Sequence, residues 1–224
     1  LILDAAHMSG TRYFGTHVGG EADASIFSFH SVKNLPTADS GMICFRDTTD
    51  DIKARELSWL GITLDTYQRA KTESYKWEYD VPEIGFKYHG NSIMASIGLV
   101  QLRHLDEDNI YRRKLATMYR MLLKNNPNIG LIPIPDECET SAHLFQVRVA
   151  NRPLVIDHMN SHGINPGVHY KSNNNYPVYT NYPANCPVAD KVTNELISLP
   201  LHLDMTAKDV KTVCNALIDI VKSE

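Results

Sequence analysis

Several things are scarce in this 224-residue chain, and each scarcity removes a class of function. No apolar run approaches the roughly 18 to 20 residues that a membrane helix needs, so no segment reads as a membrane span. Excess base is missing too. Twenty-two Lys and Arg stand against 26 Asp and Glu, a formal net charge of -4, whereas a nucleic-acid surface needs clustered positive charge. The one basic cluster, Arg112-Arg113-Lys114, reads as the solvated face of a helix. Cys44, Cys138, Cys186 and Cys214 are spaced too widely for CxxC chemistry or a compact zinc site. They read as free thiols in a reducing compartment, the cytoplasm, and no metal site is expected. GxGxxG occurs nowhere, which argues against an NAD-type sheet enzyme. There is neither an initiator Met nor a basic secretory leader. Leu1-Ile2-Leu3 instead reads as a strand starting at the first residue, and because termini usually lie at the surface, the expectation is that the chain begins within a domain.

What remains is an ordinary globular composition, 43% hydrophobic and 21% charged. Residues 1–4 read as the end of a strand, followed by a glycine-punctuated loop. Ala24-Ser25-Ile26-Phe27-Ser28-Phe29 reads as a strand covered on both faces. A loop through Asn34, Pro36 and Gly41 leads to a short strand at 42–45, and Asp50 or Asp51 is positioned to cap a helix running to about Leu60. Residues 62–90 are polar and aromatic, and a connection of that length is usually functional or interfacial. Two helices are expected next, Ile93 to Leu102 with a stripe of Ile93, Ile97 and Val100, and about Glu107 to Lys124, stopped by Asn125-Asn126-Pro127. Beyond these come a strand at 142–150, a helix opened by Pro153, and a short strand Gly167-Val168-His169-Tyr170. A loop follows, then a helix from Val188 to Ile197 and a last helix, 207–221, capped by Thr206. The pattern makes residues 115–224 a small α+β domain.

The chemistry concentrates in Asp4-Ala5-Ala6-His7 and Ser28-Phe29-His30-Ser31-Val32-Lys33-Asn34. Ligands of open α/β sheets sit beyond the C-terminal strand ends. Asp4 follows one such end, and Ser28 and Lys33 follow another. A carboxylate, a hydroxyl and an amine on one crevice are what pyridoxal phosphate requires: a charge against the ring nitrogen, donors for the phosphate, and an amine for the covalent anchor. Taken singly, the Asp also reads as a turn or helix cap and the Lys as a solvated charge.

Those two strings, together with Gly85-Phe86-Lys87-Tyr88 and Ala95-Ser96-Ile97-Gly98-Leu99-Val100-Gln101-Leu102, resemble the DegT/DnrJ/EryC1/StrS family in content and order. Leu199-Pro200-Leu201-His202 resembles that family's closing segment. The resemblance implies an α/β chain of fold type I. Residues 1–114 would be the C-terminal part of the large domain, with a mostly parallel sheet, and residues 115–224 the small α+β domain. It implies a cytoplasmic enzyme, homodimeric with shared active sites, that moves an amino group from L-glutamate to a nucleotide-linked keto-deoxysugar. A missing N-terminal portion of the same enzyme would complete the fold.

Carried across residue by residue, the resemblance makes Lys33 the Schiff-base lysine, Asp4 the partner of the pyridine nitrogen and Ser28 a phosphate ligand. His7 stands where the family has Gln or His near the ring hydroxyl. Lys87 departs from the usual Asn, and either supplies a donor to the neighbouring subunit's phosphate or faces solvent. His89 likewise replaces the frequent Arg. His30 is either close to the substrate or a packing residue, and His169 begins a loop expected to bind substrate. Tyr75, Trp77, Tyr79, Phe86 and Tyr88 either form a subunit interface or cover the domain's own core. Some relatives keep the fold without the lysine, so a catalytically inactive, PLP-binding regulatory or structural role is the alternative. The presence of Lys33 favours transamination.

Overall fold

The computed structural model describes residues 1–64, 69, 71, 79–182 and 184–222. Contacts divide the chain into two compact units, Leu1–Asp106 and Glu107–Glu224. The division falls inside the helix Leu105–Leu123, the helix that also contains the expected boundary at residue 114.

The first unit is organised by a three-stranded sheet in the order β1 (Ile2–Asp4), β4 (Ala24–Ser28), β5 (Gly41–Phe45). Short hairpin strands β2 (Arg12–Tyr13) and β3 (Thr16–His17) lie between the first two in sequence. β1 and β4 are parallel, with Asp4 opposite Ile26, while β4 and β5 are antiparallel. The parallel pairing puts the C-terminal ends of β1 and β4 at one edge of the sheet. Gly41 is required where β5 begins, because a Cβ there would come within 2.7 Å of the Phe27 carbonyl oxygen.

Contrary to the expectation for β4, only one of its faces is covered. Ser25 and Phe27 are buried, but Ile26 between them is exposed. Strand side chains alternate faces, and the 9–20 loop covers just one: Ser25 Oγ donates to the Gly19 carbonyl at 2.9 Å. A cavity of about 400 Å³, lined by Phe27, Phe29, Leu35, Met42, Leu102 and Leu105, lies within this unit.

Helix α1 spans Thr48–Ser58 and is capped by Asp47, not by Asp50 or Asp51. The Asp47 carboxylate accepts from the Thr49 N–H at 2.7 Å, and the two later acids fall in the first helical turn, where the helix dipole favours them. Helix α2, Ser92–Leu102, is capped by Asn91, which accepts from the Met94 N–H at 3.0 Å. Gly98 packs closely, since a Cβ there would lie 3.1 Å from the Thr37 methyl. The Ile93, Ile97 and Val100 stripe, however, is exposed rather than packed.

In the second unit, helix α3 (Leu105–Leu123), helix α4 (Arg152–Ser161) and helix α6 (Ala207–Lys222) accompany a sheet ordered β6 (Gly130–Leu131), β8 (Phe145–Arg148), β9 (Leu196–Leu199), all antiparallel. The two-residue strand β7 (Cys138–Glu139), which is not part of this sheet, and helix α5 (Pro187–Glu195) also fall in these residues. The expected helix to Ile197 stops at Glu195. Leu196–Leu199 is a fully buried strand paired with β8, Ile197 opposite Val147. A buried apolar run has no periodicity to separate strand from helix, and the cross-strand hydrogen bonds decide it. Gly167 forms a single bridge to Ser198 in place of the expected short strand.

This unit owns a dense core. Leu115, Tyr119 and Leu123 of α3 meet Val147 of β8, Ile197 of β9, and Val210, Val213 and Leu217 of α6. Tyr119 stacks on Phe145 at 4.7 Å and donates its hydroxyl to the Pro200 carbonyl at 2.9 Å. Burial raises the Tyr119 phenol and pushes the Cys214 thiol up to about 12, so that thiol is an inert core group. All four cysteines are free. No described helix is long and apolar enough to cross a membrane.

Candidate functional site

β1 ends at Asp4 and β4 ends at Ser28, side by side at one sheet edge. Asp4 is exposed, and its carboxylate accepts from the Ala6 N–H at 3.1 Å. The chain then turns sharply, with the Ala5 N–H bonded to the Ile26 carbonyl and the Met8 N–H to the Ala5 carbonyl at 2.9 Å. His7 sits half-buried within that turn.

The loop after β4 is pinned at its base. The Phe29 N–H donates to Ser40, and the Thr37 N–H and hydroxyl both donate to the Phe29 carbonyl, at 2.8 and 3.1 Å. Leu35 and Thr37 are buried beneath it. At its tip the Lys33 N–H closes a turn on the His30 carbonyl at 2.9 Å, and the His30 N–H reaches Ser28 Oγ at 3.4 Å. Ser28, His30 and Lys33 are therefore held as one compact group, with His30 itself exposed.

Lys33 is half-buried. Its ammonium is shifted below the ordinary lysine range chiefly by desolvation, and the negative charge of Asp4 partly opposes the shift. The two residues, far apart in sequence, thus act on each other electrostatically. A partly desolvated amine, a carboxylate within its field and a hydroxyl at the same strand edge fit a phosphorylated aldehyde cofactor with a basic ring nitrogen.

Lys87 belongs to a different cluster. Its Nζ lies 3.6 Å from the centre of the Trp59 ring, and the His89 ring meets the same indole edge-on at 4.1 Å. Sequence reasoning missed Trp59. Its signals were modest: one of only two tryptophans, placed at the end of a helix before Leu60-Gly61. His169 belongs to the second unit, where Nδ1 lies 2.8 Å from Ser198 Oγ and its carbonyl accepts from Gln146 Nε2 at 2.7 Å. Of the aromatics expected at an interface, Tyr79, Phe86 and Tyr88 are exposed. Tyr75 and Trp77 lie outside the described residues.

The fold matches solved aminotransferases. TlmJ from Streptoalloteichus hindustanus, an aminotransferase, is 28% identical with a TM-score of 0.89, over 100% of this chain and 58% of that one. PseC from Helicobacter pylori, an aminotransferase involved in the biosynthesis of pseudoaminic acid, is 26% identical with a TM-score of 0.89, over 100% of this chain and 60% of that one. Spr1654 from Streptococcus pneumoniae, assigned as a sugar aminotransferase, is 29% identical in its PMP-form, with a TM-score of 0.90, over 99% of this chain and 59% of that one. Its PLP-form matches as well. The present chain therefore spans somewhat under two thirds of these structures. The fold is that of an α/β chain of the aminotransferase class. A model of the DegT/DnrJ/EryC1/StrS aminotransferase family matches residues 1–218, and the chain belongs to that family.

Proposed function

We propose that this chain carries the lysine half of a pyridoxal-phosphate site in a sugar aminotransferase. The amino donor is L-glutamate and the acceptor a nucleotide-linked keto-deoxysugar. The observation that carries the reading is the Lys33 amine, partly desolvated at a sheet edge within the field of Asp4. Family membership supports it, as does the existence of Spr1654 in PLP- and PMP-forms.

When bound, pyridoxal phosphate supplies an electron sink for the substrate carbon that loses its proton. This chain's residues do the rest. Lys33 Nζ would hold the cofactor covalently and would move the proton at the substrate carbon; desolvation favours the neutral amine that this work needs. Asp4 holds a proton on the pyridine nitrogen by charge. Ser28 would offer its hydroxyl to the phosphate, and His7 would serve the ring hydroxyl. His30, exposed beside Lys33, faces the substrate. The working protein is a homodimer in which Lys87 reaches the phosphate site of the second copy. A cytoplasmic setting is supported by four unpaired cysteines.

Lys33→Ala tests the assignment. The expected result is loss of transamination, and of the cofactor's lysine-bound absorbance, with the circular dichroism spectrum unchanged. Near-parental turnover in the full-length variant would overturn it.

A further inference from the structure

Lys87 is placed by backbone, not by chance. Residues 83–89 lie across the C-terminal end of helix α1 and take up its free carbonyls: Phe86 N–H donates to Leu57 at 2.6 Å, and Tyr88 and His89 both donate to Ser58 at 2.9 and 3.1 Å. Leu60 N–H returns a bond to Phe86 at 3.0 Å, and Trp59 and Lys87 are antiparallel bridge partners. Gly61, at φ +76°, and Gly85 let the two backbones touch, since a Cβ on Gly85 would fall 2.1 Å from the Gly61 nitrogen.

The electrostatics at this junction are one-sided. Glu56 and Glu83, the acids nearest in sequence to the two bridge partners, are both paired with Lys53. Among the described residues Lys87 forms no ion pair, and its contact is the indole face at 3.6 Å. The Trp59 Nε1 proton is buried without a hydrogen-bond partner, so packing and the cation over its face hold the ring. Around Lys87 the surface is apolar. Ile84 is 89% exposed, and Phe86 and Tyr88 stack at 5.1 Å in the open. An indole offsets only one side of an ammonium and leaves its N–H donors pointing away from the ring. When such a surface is covered, the cation needs an external anion.

Resting on the function proposed above, we infer that Trp59 is the positioning residue for Lys87: the indole presents the ammonium, in a fixed direction and unpaired with any carboxylate among the described residues, to the cofactor's phosphate held by the second copy. Lys87 without this platform is a flexible lysine, whose side-chain entropy must be lost on binding.

The test is a double-mutant cycle on pyridoxal-phosphate affinity in the full-length protein, read by equilibrium dialysis rather than by turnover. Trp59→Leu and Lys87→Met should each weaken cofactor binding by roughly two- to thirtyfold, the range of a cation–π contact. The double variant should be no weaker than Lys87→Met alone, and Trp59→Phe should keep most of the affinity. A second readout needs no cofactor: Lys87→Met should change the tryptophan emission of the full-length protein, and should leave it unchanged when Trp59 is already Phe. Losses that multiply in the double variant would mean that Trp59 acts independently of Lys87, and would overturn the inference. Normal affinity in Trp59→Leu with a loss in Lys87→Met would overturn it while leaving the functional reading in place. Normal affinity in Lys87→Met would remove the phosphate role of Lys87 itself. Should Trp59→Leu fail to fold, the emission change on Lys87→Met carries the test, and unchanged emission would overturn the inference.

Discussion

At Lys33 two influences oppose each other. Desolvation by the loop favours the neutral amine, while the Asp4 charge favours the ammonium. Replacing Asp4 by Asn removes only the second influence, so the Lys33 pKa should fall further. Competitive acylation followed against pH should show Lys33 reacting at lower pH in Asp4→Asn than in the parent. The same change should cut turnover much more than it affects stability, because an amide cannot hold the pyridinium proton by charge. Unchanged turnover together with an unchanged acylation profile would make Asp4 a turn residue, bonded only to the Ala6 N–H.

At the scale of elements, ends matter more than middles. Helix α6 begins with a reciprocal cap in which the Thr206 N–H and hydroxyl each donate to Asp209 at 2.7 Å, and the Asp209 N–H returns to the Thr206 hydroxyl at 3.4 Å. These bonds hold the Asp209 carboxyl below the usual range. A depressed acid contributes stability that is complete above its unfolded pKa and lost as pH falls through its folded one. Thr206→Ala should therefore cost about 1 kcal/mol at neutral pH. Its cost should shrink in acid well below the ordinary carboxylate range, as pH falls through the depressed Asp209 value and the carboxylate partner takes up a proton. Urea unfolding at the two pH values checks this, and an equal cost at both would show that the carboxylate is not part of the cap. Elements also mark the limits of sequence reading. Thr206 announces itself as a cap by residue type and by the apolar run that follows. Asp47 lost to Asp50 and Asp51 because three acids stand within five residues, and only the backbone path shows which one precedes the first turn.

On the scale of the whole molecule the two units differ in how much they bury. Among the described residues, nineteen buried side chains form one core cluster within the second unit. Among the described residues the first buries only Ala5, Ala22, Phe27, Leu35 and Leu105 of its hydrophobics, and leaves the α2 stripe in solvent. At about 25 cal/mol per Å² of apolar burial, a unit that hides so little cannot offset its chain entropy by itself. A fragment of residues 105–224 should therefore unfold cooperatively in urea and show near-ultraviolet dichroism from its packed aromatics. A fragment of residues 1–104 should show neither. Cooperative unfolding of the shorter piece would refute this division of stability.

By itself, the sequence determined which chemical groups meet at the strand-end site and in what order. Asp4, Ser28 and Lys33 each lie at or just beyond the end of a short β-prone run, and residue type together with local pattern is enough to mark such positions. It also determined the family, because motif strings are local and survive in order along a chain. Tertiary structure alone decided that Lys87 rests on Trp59, that Leu196–Leu199 is a strand rather than a helix end, and that β4 has one bare face. Each of these depends on a partner distant in sequence: a helix end with free carbonyls, a facing strand, or a loop that covers one side only. Local propensity cannot encode a neighbour that the chain brings in from elsewhere, and it is the hydrogen bonds and burial gained with that neighbour that settle the choice.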